Sequence, residues 1–473
     1  MSKSPPKPAR VAIGAVSSSG GRRVGLISLG CPKNHVDSEV MLGRLEAEGH
    51  VVTDDLANAD TVIVNTCGFI EEAKQESIDT ILEVAENRGA RGAELLVAGC
   101  MVNRYGAELA SAIPEIDGFI SLDDLREVDG LVGLGGDIGP PAATRSQRLF
   151  DHRDPRRLTT SGYGYLKVAE GCNNPCTFCA IPLWRGRFRS RTIESLVTEA
   201  RELVAAGAGE LVLVAQDTTR YGEDLGLGRH GLLRLVEALL AGTTARWIRF
   251  LYAYPTTLDP ELLSLMAAEE RFCSYLDMPL QHSHPDILRA MRRGGSDRRY
   301  LQQLETARET VPGIWLRSTF IVGFPGEDDE HFRHLESFVD QAGLDHCGGF
   351  TFSPEDGTPA ADLVGRVGRE VAAQRHHRLL EVQRPHSLAR RKRLVGSTLL
   401  TLVEGVSSET EHLLEGRHEG LAPGIDGRLL LADGTAQPGT FAQVEVVDAY
   451  ADDIIGHIVS SAEHAEEGTA QCL

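Results

Sequence analysis

Apolar positions in this chain gather into short runs separated by polar, helix-patterned stretches. Near the start, three runs each close on a cysteine: VGLISLGC at Cys31, TVIVNTC at Cys67 and ELLVAGC at Cys100. The cysteines lie 36 and 33 residues apart, the length of a strand–helix–strand unit. Ile78, Ile81, Leu82 and Ala85 recur at i, i+3, i+4 and i+7 between the last two, as on the buried face of a helix. Residues 22–132 are therefore expected to form an α/β domain with a parallel sheet, after a disordered leader at 1–21. Residues 133–157, rich in Gly, Pro and charge, read as a linker. From 158 to 388 strand and helix patterns alternate six times, with strands expected at 163–168, 209–215, 246–252, 274–278, 314–322 and 346–352. Six βα repeats predict an incomplete TIM-like (βα)6 barrel, whose chemistry sits at the carboxyl ends of its strands. At 389–460 the pattern changes to STLLTLVEG, GRLLLADG, TFAQVEVVDAY and DIIGHIV with Gly and Asp turns, a small all-β barrel of OB-like type, followed by a polar tail at 461–473.

The cysteines then give these elements a chemistry. Cys172, Cys176 and Cys179 follow the first barrel strand in EGCNNPCTFCAIPLWRGR, spaced C-x3-C-x2-C. Three thiolates on one loop can hold an iron–sulfur cubane and leave its fourth iron open. A structural zinc loop is the alternative, but zinc favours two paired C-x2-C units and no second pair exists. Cys31, Cys67 and Cys100, at three strand ends of an open parallel sheet, are expected to converge into a second three-cysteine site. The alternative for any one of them is an inert packed thiol. Cys273 and Cys347 lie within apolar strands and read as buried structural thiols, and Cys472 falls in the tail.

Charge narrows the partners. The 473 residues carry a net −20, which repels a phosphate backbone and weighs against direct tRNA binding. The last domain is the most lopsided, with 11 acids against 2 arginines over 396–460, a sign that suits a basic protein partner. ARRKR, ending at Arg393, reads as a solvated helix end. No apolar stretch reaches membrane-spanning length and no secretory signal is evident, so a cytoplasmic protein with reduced thiols is expected.

Over residues 22–460 the order of parts resembles the methylthiotransferases: a three-cysteine domain, a radical S-adenosylmethionine (SAM) barrel and a TRAM-type barrel. SLGCPKNHVDSE around Cys31 and NTCGFI around Cys67 are similar to the RimO-type members, which modify one aspartate β-carbon of small-subunit ribosomal protein number twelve. The tRNA-modifying MiaB type usually reads GCQMN and NTC-S-I-R at those places. The resemblance implies two [4Fe–4S] clusters, one on Cys172, Cys176 and Cys179 and one on Cys31, Cys67 and Cys100. The first would cleave SAM to an adenosyl radical and the second would deliver a methylated sulfur. This suits an unactivated C–H bond, which has no proton for acid–base chemistry to remove. It also implies a basic ribosomal protein as substrate and an electron donor whose identity the sequence does not give.

Other residues carry weaker signals. Gln216 and Asp217 end the second barrel strand and face the expected SAM site, although the Gly-Gly-Glu run common in radical SAM enzymes is absent. Gly323, in IVGFPGE, resembles an adenosyl-contacting segment, and equally fits a tight turn. Gln281, His282 and His284 end the fourth strand and are given no metal role. Arg187, Arg189 and Arg191 are candidates to neutralise cluster charge. A tRNA methylthiotransferase and a non-catalytic iron–sulfur sensor are the competing functions.

Overall fold

The computed structural model describes residues 21–88, 92–133, 139–140 and 146–461. The leader up to residue 20, parts of the expected linker, and Cys472 lie outside them. The described residues pack as two compact units, one within 21–159, 169–173 and 179–191, the other within 160–168, 174–178 and 192–461. Among the described residues no helix is long and apolar enough to cross a membrane.

The first unit is built on five parallel strands, in spatial order Val51–Val52, Arg23–Ser28, Thr61–Thr66, Glu94–Gly99 and Gly118–Ile120. Thr61–Thr66 and Glu94–Gly99 are buried at every position, as central strands covered on both faces must be. The chain order changes direction between Arg23–Ser28 and Thr61–Thr66, and that switch point opens a crevice at their carboxyl ends. Helix Pro32–Ala47, started by a proline at its first turn, carries the buried Asp37, Ser38 and Glu39. Glu39 is held by Arg156 Nε at 2.9 Å, Thr159 N–H at 2.7 Å and His35 at 3.3 Å.

In the second unit six parallel strands follow chain order: Tyr163–Lys167, Glu210–Val214, Trp247–Phe250, Tyr275–Asp277, Trp315–Val322 and His346–Thr351. All six expected strands are present. A single bridge, Ile248 to Phe272, links the two groups of three. The partial barrel is followed by helix Arg369–Lys392 and a closed five-stranded barrel of Thr398–Val406, Leu414–His418, Leu429–Asp433, Phe441–Ala449 and Ile454–Ser461.

Leu414–His418 is the strand that the hydrophobic pattern does not show. Its buried side chains are polar: Arg417, 2% exposed, donates to Glu210 and Glu404 at 2.7 Å each. Glu210 also accepts from Arg249 Nε at 2.6 Å, so two arginines share one fully buried carboxylate. Those two cations hold the Glu210 carboxyl below its usual range, although burial alone would raise it.

The contacts qualify one charge expectation and correct another. Eight of the eleven acids of the last domain are engaged: Glu404 with Arg417; Glu409, Glu415 and Asp453 with Arg428; Asp426 with Arg317; Asp448 with Lys392; Asp452 with Arg384; and Glu419 with the Ser274 N–H. Five cations face seven of these acids, so part of the acidity is compensated and an excess of acids remains. ARRKR is likewise not simply solvated, because Arg391 is 2% exposed and donates to the Ala451 carbonyl at 2.6 Å. Cys273 is a buried free thiol as expected, whereas Cys347 is a free thiol that is only half-buried; desolvation pushes the first well up and the second to about 12.

Arg417→Ala leaves Glu404 without its arginine and Glu210 with one arginine in place of two. We expect a loss of about 3–5 kcal/mol, read as a lower denaturant midpoint of the second unit. Burial would raise the Glu39 carboxyl, but Arg156 and His35 hold it at about 2 against an ordinary 4.5. The unfolded chain therefore takes up this proton first. The contribution, about 3 kcal/mol, is complete above about pH 4.5 and disappears as pH falls toward 2. In the cluster-free chain, Glu39→Gln should flatten that acid limb while lowering stability at pH 7.

Candidate functional site

Three turns at the switch point of the first unit each place a thiol just beyond a strand. Cys31 follows Arg23–Ser28 and caps helix Pro32–Ala47, Cys67 follows Thr61–Thr66, and Cys100 opens helix Cys100–Ala112. Cys31 and Cys100 stand at helix amino termini, whose positive dipole ends favour thiolate, although burial outweighs Arg185 and keeps the Cys100 thiol above its usual value. Glycines make the approach possible. A Cβ on Gly30, at φ +86°, would stand 2.6 Å from Cys67 Cβ and 2.9 Å from its Sγ. A Cβ on Gly99, at φ +96°, would stand 2.3 Å from Asn65 Oδ1. Asn34 Nδ2 ties the turns together by donating to the Leu29 carbonyl at 2.8 Å and the Thr66 carbonyl at 3.3 Å.

The thiols sense one another. Burial and then the neighbouring Cys31 and Cys100 push Cys67 far above its usual value. Cys31 goes the other way: burial is outweighed by the charges of Lys33 and Arg185 and by the N–H groups of Asn34 and Lys33. Such a set, three crowded thiols with donors beside them, fits a cationic iron–sulfur core supplying the missing positive charge.

Arg185 is the functional residue that sequence reading missed. It is 3% exposed and donates to Cys100 Sγ from Nε at 3.3 Å and from Nη2 at 3.1 Å. Its remaining partners are Glu170 at 2.9 Å, Asp37 at 2.9 Å and Asn34 at 3.4 Å. Of the arginines proposed instead, Arg189 is spent on the backbone carbonyls of Arg187, Arg148 and Arg185.

The C-x3-C-x2-C loop begins at Gly171, at φ +79°, where a Cβ would stand 2.2 Å from the Arg187 carbonyl oxygen and so no side chain fits. Cys172 N–H donates to the Gly186 carbonyl at 3.2 Å. Within the second unit, Cys176 Sγ accepts from Arg293 Nη1 at 3.6 Å, and Arg293 lies over the Tyr254 ring at 4.3 Å. Thr177 fixes the loop through its N–H to Met291 and its hydroxyl to Ala290, and Phe178 packs with Ile287, Met291 and Phe324. Asp217, 1% exposed, accepts from Asn174 at 2.7 Å and Thr219 at 2.7 Å, so it braces this loop. Burial pushes its carboxyl up against those donors. Gln216 beside it is half-buried.

Gly323 serves the fold visibly: at φ +74°, a Cβ would stand 2.7 Å from Ala372 Cβ, and its N–H donates to Glu327 Oε1 at 2.9 Å. His282 Nε2 faces Glu327 at 3.4 Å, and His284 caps helix Pro285–Ala290. His284, Asp286 and His331 bring ligand atoms within 4.8 Å of one another. Asp286 is however paired with Arg289 and His331 with Asp328, so capping and ion pairing account for them. Among the described residues three non-glycines have left-handed backbone, Tyr252, Gln281 and Arg292, at φ 65°, 73° and 50°. Tyr252 and Gln281 lie in loops beyond carboxyl ends of barrel strands, where strain of about 1–3 kcal/mol each commonly marks a working site, whereas Arg292 ends helix Pro285–Ala290 in an ordinary left-handed turn.

Comparison with known proteins follows these parts. The chain matches the Uncharacterized protein family UPF0004 over residues 23–121, the Radical SAM superfamily over 166–339 and the TRAM domain over 395–459. It is 43% identical over 450 residues to the ribosomal protein uS12 methylthiotransferase RimO of Solibacter usitatus, covering 94% of this chain and 96% of that one. To the protein of the same name from Pelotomaculum thermopropionicum it is 44% identical, covering 93% of this chain and 100% of the relative. Among solved structures, it shares a fold with the radical S-adenosylmethionine methyltransferase TsrM of Kitasatospora setae at a TM-score of 0.53 and 18% identity, covering 72% and 74% of the two chains.

Gly30→Ala should drive the Cys31 turn away from Cys67. On anaerobic reconstitution we expect the variant to bind markedly less iron than the parent while its second unit keeps its denaturant midpoint.

Proposed function

This chain belongs to the ribosomal protein uS12 methylthiotransferase (RimO) family, and from that premise we propose that it methylthiolates the β-carbon of one aspartate of uS12. It is a SAM-dependent, sulfur-transferring transferase with a radical SAM domain. The observation that carries the proposal is the gathering of Cys31, Cys67 and Cys100 at a sheet switch point in a chain that also bears a C-x3-C-x2-C loop. One set alone could make a radical; a second, open set gives sulfur a place to be held.

Cys172, Cys176 and Cys179 would hold one [4Fe–4S] cluster, and Cys31, Cys67 and Cys100 the other. Bound there, the clusters supply reductive cleavage of SAM to a 5′-deoxyadenosyl radical and delivery of a methylated sulfur. Asp217 and Thr177 hold the loop in place, and Arg293 places a positive charge beside Cys176. We assign SAM contact to Gln216, with Asp217 and Gly323 shaping the rim on which it would rest. The domains we propose are 22–132 for sulfur delivery, 158–388 for radical chemistry and 389–460 for the TRAM barrel. The substrate is a basic ribosomal protein, free or on the small subunit, met in the cytoplasm with a separate electron donor. A net charge of −20 supports a protein target over direct tRNA binding.

Incubated anaerobically with SAM, sulfide and reductant, the reconstituted enzyme should add one methylthio group to the uS12 aspartate, and Cys172→Ala should abolish both the addition and 5′-deoxyadenosine formation. A methylthiolated tRNA adenosine with unmodified uS12 would sink the proposal, and SAM left intact would point to a sensor. Iron should be about eight per chain, falling to about four when Cys31, Cys67 and Cys100 are all changed to alanine.

A further inference from the structure

Each thiol of the switch-point set has its own hydrogen-bond donor, and they differ in kind. Cys31 faces the backbone N–H groups of Asn34 and Lys33, and Cys67 that of Phe69. Cys100 accepts directly from a charged group, two N–H bonds of the Arg185 guanidinium, whose charge also reaches Cys31. The other N–H groups are held by Glu170, Asp37 and Asn34, so nearly the whole donor fork is in use. Lysine has neither the planar fork nor the reach to all of these partners at once.

The guanidinium cannot shed its proton, and two carboxylates fix it in place rather than leaving it to solvent. A donor fixed on a ligand sulfur stabilises the more negative, reduced form of an iron–sulfur cluster and so raises its potential. Glu170 and Asp37 oppose this, since each adds negative charge near the same sulfur. The opposition gives the arrangement a sign that can be tested from both sides.

Resting on the assignment of a cluster to Cys31, Cys67 and Cys100, we propose that Arg185 is a positioning residue that sets the potential of that cluster through Cys100 Sγ, with Glu170 as its counterweight. Arg185 stands six residues beyond Cys179, so the segment that leaves one cysteine set supplies the tuning group of the other.

The test uses full-length chain with Cys172, Cys176 and Cys179 changed to alanine, so that a redox titration followed by electron paramagnetic resonance reads one cluster. Arg185→Gln should lower its midpoint, with the reduced-to-oxidised ratio at fixed potential falling about tenfold, or 59 mV for one electron. Arg185→Lys should fall between, and Glu170→Gln should move the midpoint upward. In chains keeping all six cysteines, the cluster on Cys172, Cys176 and Cys179 should hold its potential. Unchanged midpoints with iron intact overturn the inference, as do equal shifts in both clusters. If Arg185→Gln fails to take up iron, Glu170→Gln decides alone, and no upward shift overturns it. If the parent itself binds no iron, the cluster assignment falls and the inference with it.

Discussion

A guanidinium taken out of water must be surrounded by acceptors, and this fold is organised around meeting that demand. Arg185 lies between Asp37 and Glu170 in the first unit. In the second, Arg249 and Arg417 share Glu210, Arg317 lies between Asp277 and Asp426, and Arg375 holds Glu327. Arginine stays charged at any accessible pH, so each burial obliges the chain to fix carboxylates at set places. Those carboxylates in turn fix the strands and turns that carry them. Glu327 shows this: held by Arg375, it orients the Gly323 N–H at the rim of the partial barrel.

The parallel strands were legible because strands covered on both faces are near-continuous apolar runs. The cysteine sets were legible because cluster chemistry requires fixed residue types at fixed places. What could not be read was the destination of charged side chains. Leu414–His418 looks like a polar loop because its inward residues are Arg417 and His418. Arg185, Arg187, Arg189 and Arg191 occupy one basic run, and nothing in their order says that Arg185 meets a thiol. The signal available was local: Arg185 ends the short helix Ile181–Trp184 and precedes Gly186 at φ +74°, a turn that sends it a different way from its neighbours. Charge totals are coarse for the same reason, since a count cannot distinguish a surface acid from a buried counter-ion.

Strain and satisfaction are divided between different parts of the molecule. The strands are regular, while Tyr252 and Gln281 take left-handed backbone in the loops beyond them and Arg292 does so just past helix Pro285–Ala290. Gln281 is held there by its N–H to the Thr319 carbonyl at 2.8 Å and by its carbonyl accepting from Ile321 at 2.7 Å. Arg292 stands next to Arg293, the arginine beside Cys176. The neighbouring sheet over-determines Gln281, which is how a non-glycine persists in such a conformation.

Cys273 and Cys347 bear on how such a protein is assembled. A chain that must gather iron and sulfide on selected thiols is exposed to misplacement on the others. Burial keeps both of these thiols protonated, with Cys347 raised to about 12, and thiolate is the form that binds metal and reacts. Held as thiols rather than thiolates, these two sulfurs are poor competitors for iron once the chain has folded.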